Sequence, residues 1–190
     1  MRGKIGVVAG VALAALVTGV TDAGAAAGTG FTAQARAAGL SAGQAGELQA
    51  EVDRGLDTLG GVQVAANEIT TADGATVRYA LPGEKYVHKL GDGLDGNAAT
   101  TAAESCPYYN FCGYRGANYT GAQWFKSNCG TYNEIPDGWN SGGSWINNQS
   151  HHFTSSMFNK KKYHVFTTKP ARSYDPNGNW GPVWYVMNNC

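Results

Sequence analysis

The sequence predicts an all-β fold for its carboxy-terminal half, preceded by a small helix-and-hairpin unit. Three observations predict it. From Ser105 onward the chain reads as short apolar runs broken by turns rich in glycine and asparagine. The same segment holds 18 of the 21 aromatic residues and all four cysteines, which supplies a core and the disulfides that commonly reinforce a small one. Within it, Tyr114-Arg-Gly-Ala-Asn-Tyr119-Thr-Gly121 suits a strand that folds over into a tight hairpin, one aromatic plugging the corner and a glycine taking an angle that side chains disfavour.

The formal net charge of zero hides two segments of opposite sign. Gly28 to Glu104 carries 5 Lys/Arg against 10 Asp/Glu, and Ser105 to Cys190 carries 7 against 3, so the halves attract one another. An even number of cysteines in an exported chain reads as two disulfides. Oxidised cysteines are neither thiolate ligands nor nucleophiles.

Taken in order, residues 1–25 read as a secretory signal. Arg2 and Lys4 form its basic start, Ile5 to Val20 its apolar stretch, and Ala23-Gly24-Ala25 a small-x-small cleavage site, with Ala25-Ala-Ala27 as the alternative. The apolar run is 16 residues, short of the roughly 20 that span a bilayer. Residues 26–90 read as a pro-segment. Its start, Gly28 to Leu40, is expected to be unordered from its Ala/Gly/Thr composition. Ser41-Ala-Gly-Gln44 is a capping box, and Leu48, Val52, Leu56 and Leu59 follow at helical spacing, so a helix is expected over 42–59, ended by Gly60-Gly61. A two-stranded hairpin is expected over 62–81, turning at Asp73-Gly74. Residues 91–104 have linker composition and are the expected site of nicking.

From residue 105 the strands expected are Asn110–Tyr114, Ala122–Ser127, Tyr132–Glu134 and Ser144–Asn148, four that suit one Greek key. Ser144, just before Trp145-Ile-Asn147, is placed to hydrogen-bond back onto the folded hairpin. Tyr163–Thr168 and Val183–Met187 are expected in a second, less regular unit, without a second serine tie.

Tyr114, Tyr119, Gly121 and Ser144 resemble the βγ-crystallin signature, aromatic-x4-aromatic-x-Gly followed by a serine. Cys106-Pro107, Phe111-Cys112-Gly-Tyr114, Asn128-Cys129-Gly130, Gly138-Trp139-Asn140 and Ser144-Trp145-Ile-Asn-Asn148 are similar, in that order, to secreted actinobacterial βγ-crystallin-like peptidase inhibitors, relatives of the streptomycete metalloproteinase inhibitor. The resemblance implies a crystallin-like Greek-key sandwich over 105–190, an amino-terminal extension, and inhibition of an extracellular metallopeptidase. No reactive loop carries over residue by residue. Two glycine-rich stretches offer themselves, Gly138, Trp139, Asn140, Ser141, Gly142 and Asn177, Gly178, Asn179, Trp180. Of the three possible disulfide connectivities, a hairpin ladder prolonged from a turn near Ala117-Asn118 favours Cys106–Cys129, leaving Cys112–Cys190.

Other chemistry is sparse. Many crystallin keys bind calcium through Asn/Asp-Asn/Asp-x-x-Ser/Thr-Ser, but Trp139 and Gly143 stand where two ligands belong, so at most weak calcium binding and no other cofactor is expected. His151-His152 lacks an evident third metal ligand. Lys160-Lys161-Lys162 reads most simply as a solvated turn, or as a contact for an anionic surface, and Trp180, Trp184 and Tyr185 as core or as sugar-stacking rings. No Ser/His/Asp set, paired acids or phosphate loop emerges, so no enzyme is expected. The partners expected are an extracellular peptidase and, intramolecularly, the pro-segment. No nucleic acid, no stable membrane association and a monomer are expected. The alternative is a non-inhibitory binding module of the same fold, directed at cell wall or glycan or toxin-like.

Overall fold

A computed structural model describes residues 23–90 and 106–190. Most of the expected export signal and the expected linker at 91–104 lie outside the described residues. What is described is predominantly β: two antiparallel sheets with two helices at the amino-terminal end.

The first helix, α1 (Ala23–Ala37), corrects the expectation that Gly28 to Leu40 is unordered. Alanine is the strongest helix former, and Phe31 and Ala35 bring this helix onto the core. Helix α2 (Ala42–Leu59) begins at the capping box, where Gln44 N–H donates to Ser41 Oγ and Ser41 N–H to Gln44 Oε1. Leu48 and Val52 are buried, with Leu56 and Leu59 packed beside them.

The expected hairpin over 62–81 is instead a three-stranded meander: β1 (Val62–Ala65), β2 (Glu68–Thr70) and β3 (Thr76–Arg78). The residues read as its first strand turn back on themselves at Ala66-Asn67. Asn67, fully buried, fixes that turn by donating to the carbonyls of Tyr79 and His88. The turn at Asp73-Gly74 lies where its residues put it, between β2 and β3.

The carboxy-terminal half contributes β4 (Asn110–Tyr114), β5 (Gln123–Lys126), β6 (Asn133–Glu134), β7 (Ser144–Asn148), β8 (Thr154–Phe158), β9 (His164–Thr167), β10 (Ser173–Asp175) and β11 (Tyr185–Asn189). One sheet runs β1-β2-β3-β5-β4-β7-β10 and the other β6-β11-β8-β9. Read as two groups of four, β4–β7 and β8–β11, each group gives its third strand to the sheet of the other. Strands β8 and β10 were not anticipated; Thr154-Ser-Ser156 and Ser173 are polar enough to pass for loop.

The front unit is continuous with this body. Strand β3 pairs with β5 in the register Thr76↔Phe125, Val77↔Trp124, Arg78↔Gln123. One buried cluster joins Leu48, Val52, Ile69, Val77 and Tyr79 to Phe111, Trp124, Trp139, Trp145 and Trp180. Opposite charges meet across the seam, Lys126 with Asp73 at 3.6 Å and Arg115 with Glu51 at 3.5 Å.

Both disulfides form, but in another pairing: Cys106–Cys112 and Cys129–Cys190. The pairing Cys106–Cys129 with Cys112–Cys190 assumed that the β4–β5 ladder continues back to Cys106. It does not, because the chain turns at Pro107–Tyr109, where Tyr109 takes φ 69°, and Cys106 folds back onto its own strand. Cys129 then lies beside the last strand, bridged to Asn188, within reach of Cys190. Two disulfides belong to an oxidising compartment. Among the described residues no helix is long and apolar enough to cross a membrane.

Candidate functional site

The connection from β4 to β5 is the folded corner around which the candidate loops gather. Arg115 N–H donates to Ala122 C=O at 2.9 Å and Gly116 N–H to Thr120 C=O at 2.9 Å, closing a short 3-10 turn over Ala117–Tyr119. Asn118 and Tyr119 have positive φ, as does Gly121 at 76°. Tyr114 is fully buried and meets Tyr119 edge-on with ring centroids 5.6 Å apart. Ser144 Oγ accepts from Tyr119 N–H at 2.8 Å and donates to Gly116 C=O at 2.7 Å. One buried hydroxyl thus holds the start of β7 against the corner. The Tyr119 phenol is pushed above its ordinary range by burial first, then by Tyr174 and Asp175, so it stays neutral at physiological pH.

The two glycine-rich stretches, distant in sequence, are neighbours in space. Trp180 N–H donates to Gly142 C=O at 3.2 Å, and Asn118 N–H in the corner donates to Pro176 C=O at 2.7 Å. Trp139 and Trp180 pack together with centroids 5.6 Å apart. Both rings border the space that a side chain on Gly113 of β4 would fill. Trp180 Nε1 donates to Tyr114 C=O at 2.7 Å, so the indole has no unmet polar atom. Within the candidate loops Trp139 and Trp180 are therefore buried anchors, while Gly138, Asn140, Ser141, Gly142, Asn177 and Asn179 are exposed and Gly178 is half-buried. What the pair offers a partner is backbone and small polar side chains on a fixed base.

The first loop also walls a cleft of about 430 Å³ against the front unit, with Glu51 and Arg54 of α2, Tyr79, Arg115 and Asp137 among its lining. The Tyr79 phenol is pushed up to about 12 by burial, then by Glu51. It lies against Gly55 of α2, where a Cβ would sit 1.9 Å from its oxygen.

The metal candidates stay apart. Gly143, at the hydroxyl position of the calcium pattern, lies beneath Trp180: a Cβ there would fall 2.1 Å from the indole Cδ1, and its φ is +131°. His151 and His152 are exposed. Among the described residues no three His, Cys, Asp or Glu side chains gather as a metal-binding group. Lys160, Lys161 and Lys162 lie on the turn between β8 and β9, and Trp184 and Tyr185 beside them. Sequence reasoning missed that convergence and Tyr132's part in it, because strand pairing alone brings these residues together. It also missed the two tryptophans' anchoring role, which depends on Gly113 and Gly143 being bare.

Comparisons with family models, with curated proteins and with solved structures find no match to this chain.

Proposed function

We propose that this chain is a secreted inhibitor of an extracellular metallopeptidase, built on a βγ-crystallin-like Greek-key sandwich and made with an amino-terminal pro-segment. The observation that carries the reading is the pairing of the two exposed glycine-rich loops on a rigid base. An inhibitor that enters a peptidase cleft must present an exposed backbone whose order is fixed before binding, so that little entropy is lost on association. Here the buried Trp139–Trp180 pair and the bond from Asn118 to Pro176 supply that order. The disulfide Cys129–Cys190 ties the last strand to the body.

The crystallin-like reading of the fold is supported by the exchange of third strands between the two groups of four. The corner of Tyr114, Tyr119 and Ser144 supports it further. The second group is less regular: β8 and β9 are joined by a plain turn in which Asn159 N–H donates to Tyr163 C=O. The pro-segment reading draws on opposite charges between the front unit and the body, Lys126 with Asp73 and Arg115 with Glu51, and on the contact of α2 with the cleft beside the first loop. In this reading the front unit completes the sheet and flanks the loop until it is removed.

Hydrolysis of a peptide substrate by a thermolysin-like peptidase, with increasing amounts of the purified chain, tests the function. Sub-micromolar inhibition supports it. Undiminished hydrolysis at high micromolar chain defeats it.

A further inference from the structure

The lysine run and a set of aromatic residues scattered along the second half of the chain meet on one face of the smaller sheet. Residues directly opposite in paired strands point to the same side. The register Glu134↔Tyr185, Tyr185↔Phe158 and Phe158↔His164 therefore draws one row across β6, β11, β8 and β9. Tyr132 packs edge-on against Phe158 at 4.9 Å and Tyr185 at 5.9 Å. The β8–β9 turn carries Lys160 over the Trp184 ring at 4.3 Å, and Lys162 over Tyr132 at 4.8 Å and Tyr185 at 5.7 Å. Lys160, Lys161, Lys162 and Tyr163 are exposed and Tyr132 is 39% exposed. The neighbouring row, Met187, Ser156 and Thr167, is uncharged: Asn189 Nδ2, from the row beyond, donates to Ser156 Oγ at 2.8 Å, and Ser156 Oγ lies 3.0 Å from Thr167 Oγ1.

We propose that this face binds an anionic polysaccharide whose sugar rings carry carboxylates. Lys160 and Lys162 would take the anions, while Trp184, Tyr132 and Tyr185 receive the apolar faces of the sugars. Exposed cation–π contacts are weak, so an arriving carboxylate draws each ammonium off its ring at little cost and frees the ring for stacking. Three lysines against Glu134, the acid at the far end of the row, give the face its sign. A sheet face with hydroxyl and amide groups beside the rings suits a glycan better than a protein, whose interfaces centre on side chains anchored in pockets. The site shares no residue with the two candidate loops and is independent of peptidase inhibition.

The test is titration of the full chain with polygalacturonate, with neutral dextran and with poly-L-glutamate, followed by tryptophan fluorescence and affinity electrophoresis. Trp124, Trp139, Trp145 and Trp180 are all at most 6% exposed and Trp184 is half-buried, so a change in emission reports on Trp184. Polygalacturonate is expected to bind and shift the emission, with dextran and polyglutamate each weaker by about tenfold or more, the equivalent of one good contact. Lys160→Ala with Lys162→Ala is expected to weaken polygalacturonate binding by a similar factor, about tenfold, without moving the unfolding midpoint. Trp184→Phe is expected to keep binding and lose the emission change. Absence of polygalacturonate binding, equal binding of polyglutamate, or an unaltered affinity in the lysine variant would each overturn the proposal.

Discussion

Trp180 decides what can precede Ser144. Its indole lies where any side chain on Gly143 would begin, and the glycine's φ of +131° is costly for other residues. Gly143→Ala is expected to destabilise the chain by about 3 kcal/mol, from strain and overpacking together. Ser144→Ala removes two hydrogen bonds at a fully buried position and is expected to cost about 2 kcal/mol. Urea midpoints at unchanged m-value read both. Tyr79 gives a pH dependence. Its phenol ionises near pH 10 in the unfolded chain and at about 12 when folded. Below pH 10 both states hold the proton; between 10 and 12 the unfolded state alone releases it, so stability falls as pH rises through this window. Tyr79→Phe is expected to flatten that fall, measured as the unfolding midpoint against pH.

Elements read from the sequence differ in fidelity for physical reasons. Asn110–Tyr114 and Ser144–Asn148 are strands over the residues expected, because their apolar runs end at strong turn signals. The capping box likewise marks the start of α2. The meander of β1, β2 and β3 was hidden because Asn67 makes its turn through buried tertiary bonds to Tyr79 and His88. Helix α1 was hidden because its glycines outweighed its alanines as a signal. At the candidate site, the serine tie was legible, and the adjacency of the two glycine-rich stretches was not, since it depends on Trp180 reaching Gly113. The disulfides carry a prediction at this scale. Cys129–Cys190 closes a loop of sequence separation 61, and Cys106–Cys112 one of 6. Chain entropy makes the first bridge worth about 4 kcal/mol and the second about 2. Paired Cys→Ser variants are expected to lower the denaturant midpoint in that order.

At the scale of the whole molecule, the described front unit and the basic rear half share the seven-stranded sheet and the larger buried cluster. Loss of β3 would open the β5 edge and uncover Trp124, which lies opposite Val77. If the front unit is a pro-segment, as proposed, its removal requires the seam to part, and charge pairs such as Lys126–Asp73 make the seam looser as salt screens them. On the proposed reading, intact-mass measurement of protein recovered from the medium is expected to give a mature start beyond residue 90. A mature start upstream of residue 60 would make the front half a permanent part of the molecule.

The loop reading is tested most directly by hydrogen exchange of the purified chain, alone and mixed with a catalytically inactive thermolysin-like peptidase. Slowed exchange concentrated at residues 138–143 and 175–182 is the expected result. Unchanged exchange throughout the chain, or slowing confined to the far sheet, would contradict it.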